Sequence, residues 1–192
     1  DWPEAVRMNL LDDSLSADLA ASGRGLDAAM HARFARLAQY AVDCGSSAIL
    51  FTCSAFGPCI EAVARQHAPL PVLKPNEAMV ADAVALGGPV GLIASFAPTL
   101  QSMPPEFPAG TVLHTALVAE ALAALNAGDG ARHDALVAEA GEQLRQQGAQ
   151  VIALAQFSMA RARDRVAART GLPVLTTVDS AVRALRGRLA KI

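Results

Sequence analysis

Two stretches, Gly45–Pro58 (GSSAILFTCSAFGP) and Gly148–Ala160 (GAQVIALAQFSMA), read as copies of one unit. Aligned on their opening glycines without a gap, each runs from an apolar strand into a polar turn, and Cys53 falls opposite Gln156. Each copy continues into the same tetrapeptide, Leu70-Pro71-Val72-Leu73 and Leu172-Pro173-Val174-Leu175. An amphipathic helix, a glycine stop, an apolar strand and a following helix accompany both, so the match is read as a structural repeat. The chain is therefore expected to form two related lobes, one presenting a thiol and the other an amide.

On either side of these copies the segments alternate between strand and helix patterns. Val6–Leu11 reads as a short apolar strand ending in Asp12-Asp13-Ser14, and Leu26–Cys44 as a helix stopped by Gly45. Strand Ala48–Thr52 follows; its apolar continuity fits a parallel strand buried on both faces, and Pro58 suits the start of a helix over Cys59–His67. Next come a strand at Pro71–Leu73 and a helix from about Asn76 to Leu86. Gly87-Gly88-Pro89 punctuates the chain and marks the expected lobe boundary.

Beyond it the pattern predicts strand Val90–Ala94, helix Pro98–Met103, the loop Pro104–Pro108, strand Thr111–His114 and helix Leu117–Leu125. A turn at Gly128-Asp129-Gly130 leads into a long helix to Gln147. Strand Val151–Leu154, helix Ser158–Arg169, strand Pro173–Leu175 and helix Asp179–Leu189 close the chain. This is a doubly wound parallel α/β pattern, repeated. Lobe 1 is expected to span 1–88, completed by the C-terminal helix 178–192, and lobe 2 to span 89–177. The chain opens at Asp1, and the repeat places the lobe 1 counterpart of Val90–Ala94 ahead of it, so lobe 1 is expected to lack its first strand.

Composition narrows the function classes. Of 192 residues, 53% are apolar and 4% aromatic, with a net charge of −2, enough apolar content for a packed core. No aromatic platform for stacking bases is visible. Arginines cluster only at Arg161, Arg163, Arg165 and Arg169, read as a solvated helix face, so no nucleic-acid partner is expected. No apolar run approaches the roughly 18 residues of a membrane span, and no secretory pattern opens the chain. A cytoplasmic enzyme without membrane contact is expected, with self-association left open. Three cysteines without metal-ligand spacing and four histidines point to neither disulfides nor a structural metal.

In open parallel sheets, ligands bind beyond the carboxyl ends of the strands. The polar residues there are Asp12, Asp13 and Ser14; Thr52, Cys53 and Ser54; Lys74, Asn76 and Glu77; Ser95 and Thr99; His114 and Thr115; Gln156 and Ser158; and Thr176, Thr177 and Asp179. Two facing lobes would enclose a pocket of hydroxyl, amide and backbone N–H donors suited to a small carboxylate. Cys53 sits between two hydroxyl residues just before a helix, whose N-terminal field favours the thiolate. A thiol there can act as an acid, a base or a nucleophile, whereas Cys44 and Cys59 read as structural. Phe56 and Phe157 fit either a less polar substrate or the core.

The runs Ile49–Gly57, Val90–Ser95 with Thr99 behind it, and Ile152–Met159 resemble the aspartate/glutamate/hydantoin racemase superfamily, which also includes arylmalonate decarboxylase and maleate isomerase. The resemblance covers nearly the whole chain. It implies two flavodoxin-like lobes related by a pseudo-twofold axis, an active site in the cleft between them, and no cofactor. Family racemases carry one catalytic cysteine on each lobe, one removing the proton alpha to a carboxylate and the other reprotonating the opposite face. By that resemblance Cys53 matches the first cysteine, Ser54 its carboxylate-binding neighbour, and Ser95 and Thr99 the hydroxyl-bearing loop of the second lobe. Gln156 departs from the pattern, since an amide has no accessible pKa and cannot act as acid or base.

Three functions follow for a small carboxylate substrate. The first is a cofactor-independent racemase or isomerase with Cys53 as acid/base and a second base elsewhere, with His114 or Asp13 as candidates. The second is a single-cysteine decarboxylase or lyase in which Cys53 protonates one face of an enediolate, a reaction for which one acid suffices. The third is a non-catalytic carboxylate-binding protein. In each, Thr52, Ser54, Asn76, Ser95, Thr99, Gln156, Ser158 and Asp13 are expected to face the substrate.

Overall fold

Val90–Ala94 and Val151–Leu154 are buried at every position, which a strand tolerates only where both faces of its sheet are covered. The computed structural model describes residues 2–190 and divides the chain into two units. Among the described residues the first comprises 2–51, 56–74 and 185–190, and the second 52–55 and 75–184. The α/β class with parallel sheets in two groups is as expected.

In the first unit α1 (Leu15–Ser22) and α2 (Ala28–Asp43) precede β1 (Ile49–Leu50), α3 (Gly57–Gln66) and β2 (Val72–Leu73), and β1 pairs with β2 in parallel. Asp27 caps α2 by accepting from the Met30 N–H at 3.0 Å, satisfying one of the free donors of the first turn. Met30, Phe34, Ala38 and Ala41 line its buried face, and Cys59, Ile60 and Val63 line that of α3. The repeat glycines Gly45 and Gly148 both adopt left-handed φ, 82° and 103°, just beyond helix ends, where a side chain would be strained.

The second unit contains α4 (Glu77–Leu86), β3 (Val90–Ala94), α5 (Ala97–Ser102), β4 (Leu113–Leu117), α6 (Ala119–Asn126), α7 (Gly130–Gln146), β5 (Val151–Leu154), α8 (Arg163–Thr170) and β6 (Val174–Thr176). Helix α9 (Thr177–Leu189) begins there and ends among the residues of the first unit. The sheet runs β4-β3-β5-β6, all parallel. Val90, Leu92, Ala94, Val151, Ala153 and Ala155 face Met79, Val80 and Ala83 of α4 together with Met103 and Phe107. Ile93, Ile152 and Leu154 face Ala121, Val137, Leu144 and Val166 of α6, α7 and α8. This strict alternation is the two-residue period of a strand sandwiched between helical layers.

The elements depart from expectation in several places. Val6–Leu11 is not a strand; it pairs with no strand among the described residues and is solvent-facing, with Val6 and Leu11 almost wholly exposed. Apolar alternation cannot make a strand without a neighbouring ladder. The strand expected at Thr111–His114 lies at Leu113–Leu117, where its register with β3 allows full pairing. The single helix expected over Ser158–Arg169 is a 3-10 segment, Phe157–Ala162, followed by α8. Helix α1, overlooked in the sequence, has no buried residue, so it lacks the apolar stripe that betrays a helix. Packing places α4 with the second unit, whereas the glycine punctuation puts the lobe boundary after it.

Candidate active site

The turn holding Cys53 is fixed at both ends. Before it, the Phe51 ring lies 5.3 Å from that of Phe34 on α2; after it, the buried Phe56 ring lies 5.0 Å from the same Phe34. One aromatic residue thus holds both flanks of the turn, worth about 0.5–1.5 kcal/mol per ring pair beyond burial. Phe56 is therefore a core residue rather than a substrate contact. Thr52 and Cys53 are exposed, and Ser54, half-buried, opens a one-turn 3-10 segment ahead of α3. All three cysteines carry free thiols. Burial pushes the Cys59 thiol up, which suits a structural role and disfavours a thiolate.

In the second unit, parallel pairing of Ile93 with Leu154 and the Ala155 N–H donated to the Ile93 carbonyl at 2.9 Å bring the ends of β3 and β5 level. Ser95 and Gln156 follow those ends and meet. The Gln156 Oε1 accepts from the Ser95 backbone N–H at 2.6 Å and from its hydroxyl at 3.0 Å. A backbone N–H can only donate, so the atom facing it must be the amide oxygen, and Nε2 points the other way. Ser95 and, on α5, Thr99 are buried. One strand further, Thr176 accepts the Asp179 N–H at 3.0 Å, and the buried Thr177 hydroxyl has no partner among the described residues.

Asn76, ahead of α4, is buried and donates through Nδ2 to Glu106 at 2.9 Å, while its Oδ1 is buried without a partner. Glu106 was not singled out in the sequence; its only signal is an acid within the proline-rich segment Pro104–Pro108. Ser158 is exposed in the 3-10 segment after Gln156. Asp13 is exposed in the turn before α1, and it is the adjacent Asp12 that pairs with Arg33. His114 does not lie at the carboxyl end of a strand. It stands within β4 in register with Gly91, roughly 10 Å short of the carboxyl edge at about 3.3 Å per residue. The structure thus joins Ser95 to Gln156, leaves Asp13 on an exposed turn and places His114 near the amino end of β4, away from the carboxyl edge.

Among the described residues no cluster of His, Cys, Asp or Glu is arranged to hold a metal ion, and no helix is long and apolar enough to cross a membrane.

A layered parallel α/β unit with its polar residues gathered at strand ends agrees with the wider comparison. The chain belongs to the Asp/Glu/hydantoin racemase family, whose description matches residues 1–185. Among solved structures, it is similar to a crystal structure described as allantoin racemase from Pseudomonas fluorescens, with a TM-score of 0.54 and 19% identity. The likeness covers 68% of this chain and 57% of that one, so the chain spans little more than half the length of this neighbour, and the likeness speaks to the fold. No curated protein matches the sequence.

Proposed function

We propose that the protein is a cofactor-independent enzyme of the racemase and isomerase type that moves a proton at a carbon alpha to a carboxylate, with Cys53 as the acid/base. The observation that carries this reading is the exposed Cys53 thiol, on a turn held at both flanks by Phe34. A base presented on a rigid turn keeps its aim, which is what proton transfer at carbon requires. As thiolate, Cys53 takes the alpha proton from one face, and inversion requires a second acid, distinct from Gln156, to deliver a proton to the opposite face. Thr52, Ser54, Asn76, Thr99, Gln156 and Ser158 supply donors for the carboxylate and the enediolate oxygens that form when the proton leaves, and Ser95 holds Gln156 in place. Asp13, on the exposed turn before α1, is not used in this scheme.

A second reading is favoured by one observation. The Gln156 amide, whose oxygen is engaged by Ser95, stands at the repeat position opposite Cys53 and cannot serve as an acid or base. Protonation by Cys53 alone then delivers hydrogen to one face, as in a single-cysteine decarboxylase or lyase.

Incubation in deuterated water with small 2-substituted carboxylates, 2-substituted malonates and hydantoins, including allantoin, separates the readings. Allantoin is included because the structural neighbour is described as its racemase. A racemase exchanges the alpha hydrogen and erases optical activity. A lyase yields a product with one deuterium on a single face, and a non-catalytic binder does neither. Cys53→Ala is expected to abolish exchange or turnover, by at least about a hundredfold. Activity at the wild-type level in that variant rejects the assignment of Cys53.

A further inference from the structure

Gln156 is not an idle replacement for an acid/base residue. Both lone pairs of its oxygen are occupied, one by the Ser95 backbone N–H at 2.6 Å and one by the Ser95 hydroxyl at 3.0 Å. The backbone donor cannot rotate away or reverse its polarity, so the amide cannot flip without setting N–H against N–H. What remains is Nε2, with two donors and no hydrogen bond among the described residues. The side chain is only partly buried, so these donors are accessible at the carboxyl edge of β3 and β5, the edge at which parallel sheets take ligands.

We infer that Gln156, held in one orientation by Ser95, is a specificity-determining donor that receives a carboxylate oxygen of the substrate, with Ser95 as its positioning residue. The inference rests on the proposed reaction at a carbon alpha to a carboxylate and adds which group lies against the second copy of the repeat. Two N–H bonds aimed outward donate to an oxygen and repel an ammonium or amide N–H, so an amino group on the substrate lies elsewhere. Gln156 itself contributes no acid or base to the reaction.

The test is binding, so it is independent of what Cys53 does. Malonate and succinate are titrated against their neutral diamides, malonamide and succinamide, with the side-chain amide resonance of Gln156 followed in the nitrogen-15-labelled protein. The diacids are expected to bind about tenfold more tightly than the diamides and to shift that resonance, since a hydrogen bond to a charged group is at stake.

Gln156→Glu keeps an oxygen for Ser95 and turns a second oxygen toward the ligand, so diacid affinity falls by about tenfold or more. Gln156→Met, which carries no donor, gives a comparable loss and stands in if the first variant does not fold. Ser95→Ala weakens diacid binding and Ser95→Thr restores it. Diacids that bind no better than diamides, diacids that do not bind the wild type, or Gln156 variants that bind them unchanged would each overturn the inference. In the last case, exchange still lost in Cys53→Ala leaves the proposed reaction standing. Exchange that survives in Cys53→Ala rejects that reaction whatever the Gln156 variants show.

Discussion

Glu142 on α7 has its carboxyl drawn down to about 2, first by its hydrogen bonds to Arg145 and then by Gln146. A folded value below the unfolded one adds stability above the unfolded pKa, lost as pH falls toward the folded one. Wild-type Tm should therefore fall more steeply than that of Glu142→Gln between about pH 5 and pH 2, by a small and salt-sensitive margin because the pair is on the surface. Thermal melts at low and high ionic strength across that range check it; parallel curves would remove the pair from the acid response. This pair could be read from the sequence, since residues three apart on a helix are neighbours. The Arg33 contacts with Asp12 and Asp18 could not, because Arg33 stands well along the chain from both. Gln156 divides the same way: the repeat placed it opposite Cys53, while its partner Ser95 emerged only when β3 and β5 lay side by side.

Among the elements, β3 and β5 were legible to the residue because continuous burial leaves an unbroken apolar run. Their packing also explains Gly91. A Cβ there would approach Ile152 Cδ1 to 2.8 Å, and Ala149 Cβ and Leu144 Cβ to 3.1 Å each. The isoleucine tip can move, but the other two carbons are fixed to backbone. Gly91→Ala is therefore expected to destabilise the fold by about 1–3 kcal/mol, the usual penalty of overpacking, read as a lower urea midpoint with unchanged slope. A midpoint at or above wild type would show that α7 gives way easily. Elements whose existence depends on a partner were harder to see. β4 shifted toward its pairing register with β3, Val6–Leu11 found no ladder to join, and α1 carries no buried stripe.

At the scale of the whole chain, the four-stranded sheet with a core cluster on each face belongs to the second unit, while the first has a two-stranded sheet. Amide exchange protection follows burial and hydrogen bonding. The amides of β3 and β5 are expected to exchange slowest, those of β1 and β2 faster, and those of Val6–Leu11 without protection. Residue-resolved hydrogen exchange decides this, and strong protection across Val6–Leu11 would contradict the unpaired state of that segment. The parallel α/β class, the repeat, the strand-end turns and the candidates Cys53 and Gln156 were legible in the chain, because periodicity, glycine stops and repeated spacing are local signals carried by each segment alone. Folding in three dimensions was needed to reveal that Ser95 turns the Gln156 amide outward, that Phe34 holds both flanks of the Cys53 turn, and that His114 sits below the carboxyl edge. Those outcomes depend on register and packing between segments distant in the chain, and no local pattern encodes which neighbours a strand end or a ring will meet.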